Sequence, residues 1–182
     1  KKFKHIDVNA EANAKTAPAA VGNALTATTR NGDPCVYYLT KDRHVHELAW
    51  FGADGWKHRD VLGDAFGLPA APGSSLASTI LGGYPRVYYL CDDNHVHELS
   101  DWYGERWNHR DISCFADNYI NWQAELPAKG SPLTAVNYHD SDPRVYYLVT
   151  GSIYFGVHEL GWQPDVNWWR HENIPNRTTW IP

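Results

Sequence analysis

The chain has 182 residues and a mass of 20.7 kDa, and 43% of its residues are hydrophobic, enough to bury a core at this length. Its 16 basic and 21 acidic side chains leave a net charge of −5, which argues against a nucleic-acid partner, since that would need a basic face. No apolar run approaches the roughly 20 residues of a membrane span.

Read in chain order, the sequence repeats itself. Phe3-Lys-His-Ile-Asp-Val8 anticipates Trp56-Lys-His-Arg-Asp-Val61, so it is read as the last strand of a repeat, and residues 3–24 as a partial unit. Leu25 to Thr29 is β-branched and predicts a strand. Asn31 to Pro34 predicts a turn, and Cys35-Val-Tyr-Tyr-Leu39 a second strand. After a turn at Lys41–Arg43, His44-Val-His-Glu-Leu48 alternates as a half-buried strand does. Ala53-Asp-Gly55 is a turn signal before a fourth strand, Trp56-Lys-His-Arg-Asp60. The stretch from about Leu62 to Ser75 is rich in Gly, Pro and Ala, which disfavours helix.

The same order returns twice. Arg86-Val-Tyr-Tyr-Leu90 and Arg144-Val-Tyr-Tyr-Leu148 repeat the second strand, after 51 and then 58 residues. His95-Val-His-Glu-Leu99 and Val157-His-Glu-Leu160 repeat the third, the latter behind an insertion around Ser152 to Phe155. Trp107-Asn-His-Arg-Asp111 and Trp169-Arg-His-Glu-Asn173 repeat the fourth. The units are 25–75, 76–132 and 133–182.

Four short antiparallel strands every 40–50 residues or so describe a blade of an all-β propeller. Known rings close with roughly four to eight blades, so three blades and a strand leave two apolar faces bare. The expectation is a ring completed by a second copy of the chain, or by the remainder of a longer propeller. Lys1 is not an initiator, because the chain has no Met, and a processed or incomplete chain is expected. A secreted or extracellular-acting protein is the expected location.

Each repeat offers one polar set: an Arg opening the Tyr-Tyr strand (Arg86, Arg144), a Glu on the next strand (Glu47, Glu98, Glu159), and Trp residues beyond it (Trp50, Trp162; Trp56, Trp107, Trp169). A planar guanidinium and a carboxylate can bracket neighbouring sugar hydroxyls, while an indole covers the apolar face of the ring. A structural ion pair between strands is the alternative. The chain is rich in Trp (9) and Tyr (11) against 5 Phe, the aromatics with a polar handle that suit wet binding surfaces.

The order Arg-Val-Tyr, then Glu, then Trp resembles the fungal and bacterial fucose-binding β-propeller lectins. The wider repeat is similar to bacterial lectins of the Photorhabdus type. The resemblance covers Phe3 to Trp169. It implies sugar sites in clefts between blades, with Arg86 and Glu98, and Arg144 and Glu159, as polar halves. Trp50, Trp56, Trp107, Trp162 and Trp169 are then the aromatic positions. It implies multivalent, agglutinating binding of glycans carrying fucose or a related sugar, O-methylated sugars included, by a homo-oligomer such as a dimer.

The departures are specific. Cys35 stands where the first repeat should carry Arg, which leaves Glu47 without that donor. Asp101 stands where Trp50 and Trp162 stand, with Trp102 one residue late and so on the opposite face of a strand. His44 and His46, like His95 and His97, are spaced to share a face. They are expected to bond across strands or line the cleft. No metal or other cofactor is expected. Cys35, Cys91 and Cys114 are odd in number and lack Cys-x-x-Cys spacing, so free thiols are expected, with Cys35–Cys91 the alternative pairing. Carboxylate pairs occur in every repeat, whereas catalysis needs one such pair, so an enzyme is not expected; a glycan-degrading enzyme and a protein-binding scaffold remain the alternatives. Asn176-Arg-Thr178 is a glycosylation sequon.

Overall fold

The computed structural model describes residues 5–14, 17, 19, 24–114, 125–139, 141–151, 155–165 and 167–174. Phe3, the insertion residues 152–154 and the sequon at Asn176 lie outside them. Within them the chain forms three four-stranded antiparallel sheets, each a meander in which chain neighbours are sheet neighbours. The first is β1 (Leu25–Arg30), β2 (Asp33–Leu39), β3 (Val45–Trp50) and β4 (Trp56–Asp60). The second is β5 (Leu76–Leu81), β6 (Tyr84–Leu90), β7 (Val96–Trp102) and β8 (Arg106–Asp111). The third is β9 (Thr134–Tyr138), β10 (Asp142–Val149), β11 (Gly156–Gln163) and β12 (Trp168–Asn173).

Turn chemistry sets the hairpins. Asn31 and Gly32 join β1 to β2 with φ of 50° and 92°, the doubly positive geometry that matches strand twist. Gly82 and Gly83 do the same between β5 and β6. The two turns are stitched together, since the Asn31 amide donates to the Gly83 carbonyl at 2.8 Å.

Register then sorts every side chain. Tyr37 lies opposite Glu47, and Cys35 opposite Ala49, so these share one face of the first sheet. His46, Leu48 and Trp50 take the other. The same division holds for Tyr88 and Glu98 and for Tyr146 and Glu159. Each sheet therefore has a Glu face and a Trp face. The Glu face of the first sheet packs on the Trp face of the second, where Tyr37 meets Trp107 edge-on at 5.9 Å. The Glu face of the second packs on the Trp face of the third, where Tyr88 meets Trp169 at 6.0 Å. Each fully buried aromatic in these layers contributes on the order of 2–3 kcal/mol.

Strands β1, β5 and β9 lie side by side as the inner edge of the stack. Thr26 and Ser78 share a hydroxyl contact of 2.8 Å there, and Ser75 donates to the Ser131 carbonyl at 3.0 Å. The result is an arc of three propeller blades. Its two end faces differ: on the Trp face of the first blade Val8, Ala12 and Ala14 of the N-terminal segment pack on Tyr38, Leu48 and Trp56 and leave Leu25 exposed, whereas Val136, Tyr138, Leu148 and Val157 on the Glu face of the third are all exposed.

Two expectations need correction. Val8 belongs to no strand; it opens a one-turn helix, α1 (Val8–Glu11), capped by the Asp7 carboxylate accepting from the Ala10 amide. The Gly- and Ala-rich stretch after β4 likewise opens with a helix, α2 (Val61–Asp64), whose cap is Asp60 accepting from Gly63. In both places the capping carboxylate outweighs weak intrinsic propensity.

Candidate functional site

In the second blade the Arg86 guanidinium meets Glu98 at 3.1 Å, both on the Glu face and largely buried. Facing them is the Trp face of the third blade. There Trp169 packs on Tyr88 and stands 5.9 Å from Trp162, the two indoles meeting at 66°. Trp169 is 2% exposed and forms the floor, whereas Trp162 lies at the rim. Arg86 Nε, Glu98 Oε2 and Trp169 Nε1 are buried with no hydrogen-bond partner among the described residues. Orphaned donors and an orphaned acceptor lining one cleft are costly unless a polar guest completes them. This cleft brings together four of the residues singled out from sequence: Arg86, Glu98, Trp162 and Trp169.

The cleft between the first and second blades differs. Cys35 removes the expected Arg, but Arg30, at the end of β1 on the same face, takes its place. It bonds Glu47 at 2.8 Å and lies 3.0 Å from Asp101 across the cleft, a charge contact whose angles fall short of a hydrogen bond. Phe51 stacks on its guanidinium at 5.4 Å, and Tyr37 donates to the same Glu47 oxygen at 2.8 Å. Burial pushes the Glu47 carboxyl up, against the pull of Arg30 and Tyr37. It also pushes the Cys35 thiol up to about 11, helped by the Glu47 charge. Trp107 is 3% exposed and serves as core beneath Tyr37 rather than as an open wall. Asp101 points into this cleft, and Trp102 turns to the opposite face, where it is half exposed beside Tyr103. Both carboxylates of this cleft are engaged with Arg30, so neither is free as an acid–base group.

The remaining residues sit on the two end faces of the arc. Arg144 bonds Glu159 at 2.6 Å and also Asp142, with Tyr138 stacked at 5.8 Å. Trp50 and Trp56 meet at 5.9 Å and 69° on the Trp face of the first blade, nearly the geometry of Trp162 and Trp169. No blade of this chain covers either group among the described residues.

The histidines form a separate network. His46 Nδ1 contacts His58 Nε2 at 2.8 Å, and His97–His109 and His158–His171 repeat that distance. Each pair stacks at 5.0 Å. One ring donates and the other accepts, so a pair holds only while at least one ring is neutral. Burial drives the His171 pKa down to about 4, with His158 adding to the effect. A folded pKa below the unfolded ~6.5 means that stability is complete above pH ~6.5 and is lost as pH falls towards 4. We expect a loss of roughly 2 kcal/mol across that window, discounted for the ring's partial contact with water. Urea midpoints measured from pH 7 to 4 check it, and His171→Gln should flatten the slope.

The three cysteines are free, Cys35 and Cys91 buried and Cys114 exposed. Among the described residues no helix is long and apolar enough to cross a membrane.

A family model described as fungal fucose-specific lectin matches residues 2–148. A fucose-specific lectin of Aspergillus oryzae is 30% identical over 131 residues, which are 69% of this chain and 38% of that protein. Among solved structures, the SapL1 lectin in complex with alpha methyl fucoside is 26% identical, with 87% of this chain and 48% of that one covered and a TM-score of 0.59. A lectin from Aleuria aurantia, described as a six-bladed β-propeller with a novel fucose recognition mode, is 19% identical, with 86% and 50% covered and a TM-score of 0.59. The chain thus spans half or less of the length of each of these three proteins.

Proposed function

This chain belongs to the fungal fucose-specific lectin family, and we propose that it binds fucosylated glycans in the cleft between its second and third blades. The carrying observation is the Arg86–Glu98 pair set against Trp162 and Trp169, with Arg86 Nε, Glu98 Oε2 and Trp169 Nε1 left unpaired in the same cleft. A deoxy sugar has a face of ring CH and methyl groups and an edge of hydroxyls. The indole rim takes the first by dispersion, and the guanidinium and carboxylate take the second. The family is one of lectins, not enzymes. Isothermal titration with methyl α-fucoside tests the reading. Heat from a saturable site, with the number of tight sites reduced in Arg86→Ala, supports it; no binding to the unmutated chain overturns it.

We further propose that two copies complete a ring. The Arg144–Glu159 face of the third blade and the Trp50–Trp56 face of the first are the two halves of the cleft seen between the second and third blades. A shallow hollow lined by Ile6, Val8, Leu25, Val36 and Leu48 marks the same outer face of the first blade. Two sets of three blades give six, the number described for the Aleuria lectin. Light scattering should return twice 20.7 kDa; a monomer at micromolar concentration would reject the two-copy ring.

Within that reading Gly161 positions the donor. A Cβ there would come within 2.4 Å of Arg144 Nη1, the far end of a flexible side chain. Gly161→Ala should therefore move the guanidinium off Glu159 at a stability cost of about 1–3 kcal/mol. Fucoside affinity at that site should fall about tenfold, the effect of one charge-assisted hydrogen bond. Titration beside a thermal melt separates the two effects.

A further inference from the structure

The second blade carries a cluster that the sugar clefts do not use. His95, just before the start of β7, places its Nδ1 2.6 Å from Oδ2 of Asp111 at the end of β8. The ligand atoms of His95, Asp111 and Cys114 all lie within 4.8 Å of one another. From these three side chains we propose that the second blade holds a thiophilic divalent cation, with Zn2+ as the type, in a three-ligand site whose fourth position is open to water.

The chemistry of the donor set favours such an ion. Imidazole, carboxylate and thiolate are zinc's ordinary ligands, and a tetrahedral centre with bonds of about 2.0–2.3 Å places them about 3.3–3.6 Å apart. The cluster reaches this by opening the His95–Asp111 contact by under about 1 Å and drawing in the thiol by a similar amount. The second shell is already in place. Asp111 Oδ1 accepts from the amides of Ser113 and Cys114 at 3.1 and 2.9 Å, and from the Ser113 hydroxyl at 3.3 Å. Those bonds aim Oδ2 at His95 and fold Cys114 back over the carboxylate. His95 and Asp111 are partly exposed and Cys114 is exposed, so an ion can enter.

The other blades show what is specific here. The first blade has the same His–Asp half, His44 Nδ1 to Asp60 Oδ2 at 2.8 Å, but Gly63 fills the place of Cys114 and no thiol arrives. In the third blade Gly156 and Asn173 occupy the places of His95 and Asp111. Two other groupings compete. In His44–His46–Asp60, His46 Nδ1 is already spent on His58. In Cys91–Asp93–His97, the buried Cys91 thiol contacts the Leu68 carbonyl, and burial pushes it up to about 12. Among the described residues, only His95–Asp111–Cys114 joins an accessible thiol to an imidazole whose partner is the third ligand.

The test is titration of the unmutated chain with Zn2+, and with Co2+ for its visible spectrum. We expect one Zn2+ per chain at micromolar affinity or tighter and a thiolate-to-Co2+ charge-transfer band. Cys114→Ser and His95→Ala should each weaken Zn2+ by at least tenfold, while Cys91→Ser leaves it unchanged. Zn2+ should also slow alkylation of Cys114 by iodoacetamide in the unmutated chain, a readout that needs no variant. Equal Zn2+ affinity in Cys114→Ser, a Co2+ complex with no thiolate band, or alkylation indifferent to Zn2+ overturns the site. Fucoside binding should not respond to the ion in either case, so this proposal stands apart from the lectin reading.

Discussion

Replacing Arg30 by Met should lower the stability of the fold by about 3–5 kcal/mol, the cost of stripping the partner from buried charge. The residue pairs with two carboxylates at once, Glu47 at 1% exposure and Asp101 at 2%. Without it they face each other across a dry cleft, and one must take up a proton or admit water. A melting temperature lower by ~6–20 °C is the corresponding shift for a chain of this length. Coulombic attraction to Glu47 and Asp101 raises the Arg30 pKa against the opposing effect of its own burial, so the charge is permanent. Lys at this position should recover only part of the loss, since an ammonium cannot span both carboxylates as a planar fork does. Fucoside binding in the neighbouring cleft should survive in folded Arg30→Met protein. A loss of stability under about 1 kcal/mol would mean that the first cleft is open and hydrated.

Arg86→Ala should weaken fucoside binding at its own cleft by about 10–100-fold, the value of a charge-assisted hydrogen bond to a buried acceptor. In a two-copy ring the Arg144 sites remain, so titration should show the number of tight sites halved rather than a uniform decline. The double variant Arg86→Ala/Arg144→Ala should show none. Arg86→Lys should not restore the site, because the orphaned Nε belongs to the fork geometry. Unchanged stoichiometry in Arg86→Ala would move the sugar elsewhere.

Much of this arrangement is legible from spacing alone. Three copies of Val-Tyr-Tyr-Leu and His-Glu-Leu fix the strands. A period of two then puts Tyr88 and Glu98 on one face and Trp107 on the other. The one-residue displacement of Trp102 reads correctly as a change of face for the same reason. The role of Arg30 is harder to see. It stands outside the repeated motifs, at the position held by Leu81 and Tyr138 in the other blades. The signal for it is electrostatic: Cys35 removes a cation while Asp101 adds an anion to the same cleft, and a buried pair of acids demands a base from somewhere. The helices at Val8 and Val61 escape periodicity because four residues make a single turn; Asp7 and Asp60, as caps, are the readable marks. The pairing of Trp162 and Trp169 with another blade's Arg is a tertiary fact, and a repeat alone does not say which neighbour faces which.

The unlike end faces of the arc have a polar consequence. Association that joins an Arg144 face to a Trp50 face runs head to tail, and such contacts stop growing only when the rotation per subunit divides a full circle. A variant that alters the angle between blades, without touching either face, would leave the same adhesive ends in place. It would be expected to polymerise into open helical fibres rather than fall back to single chains.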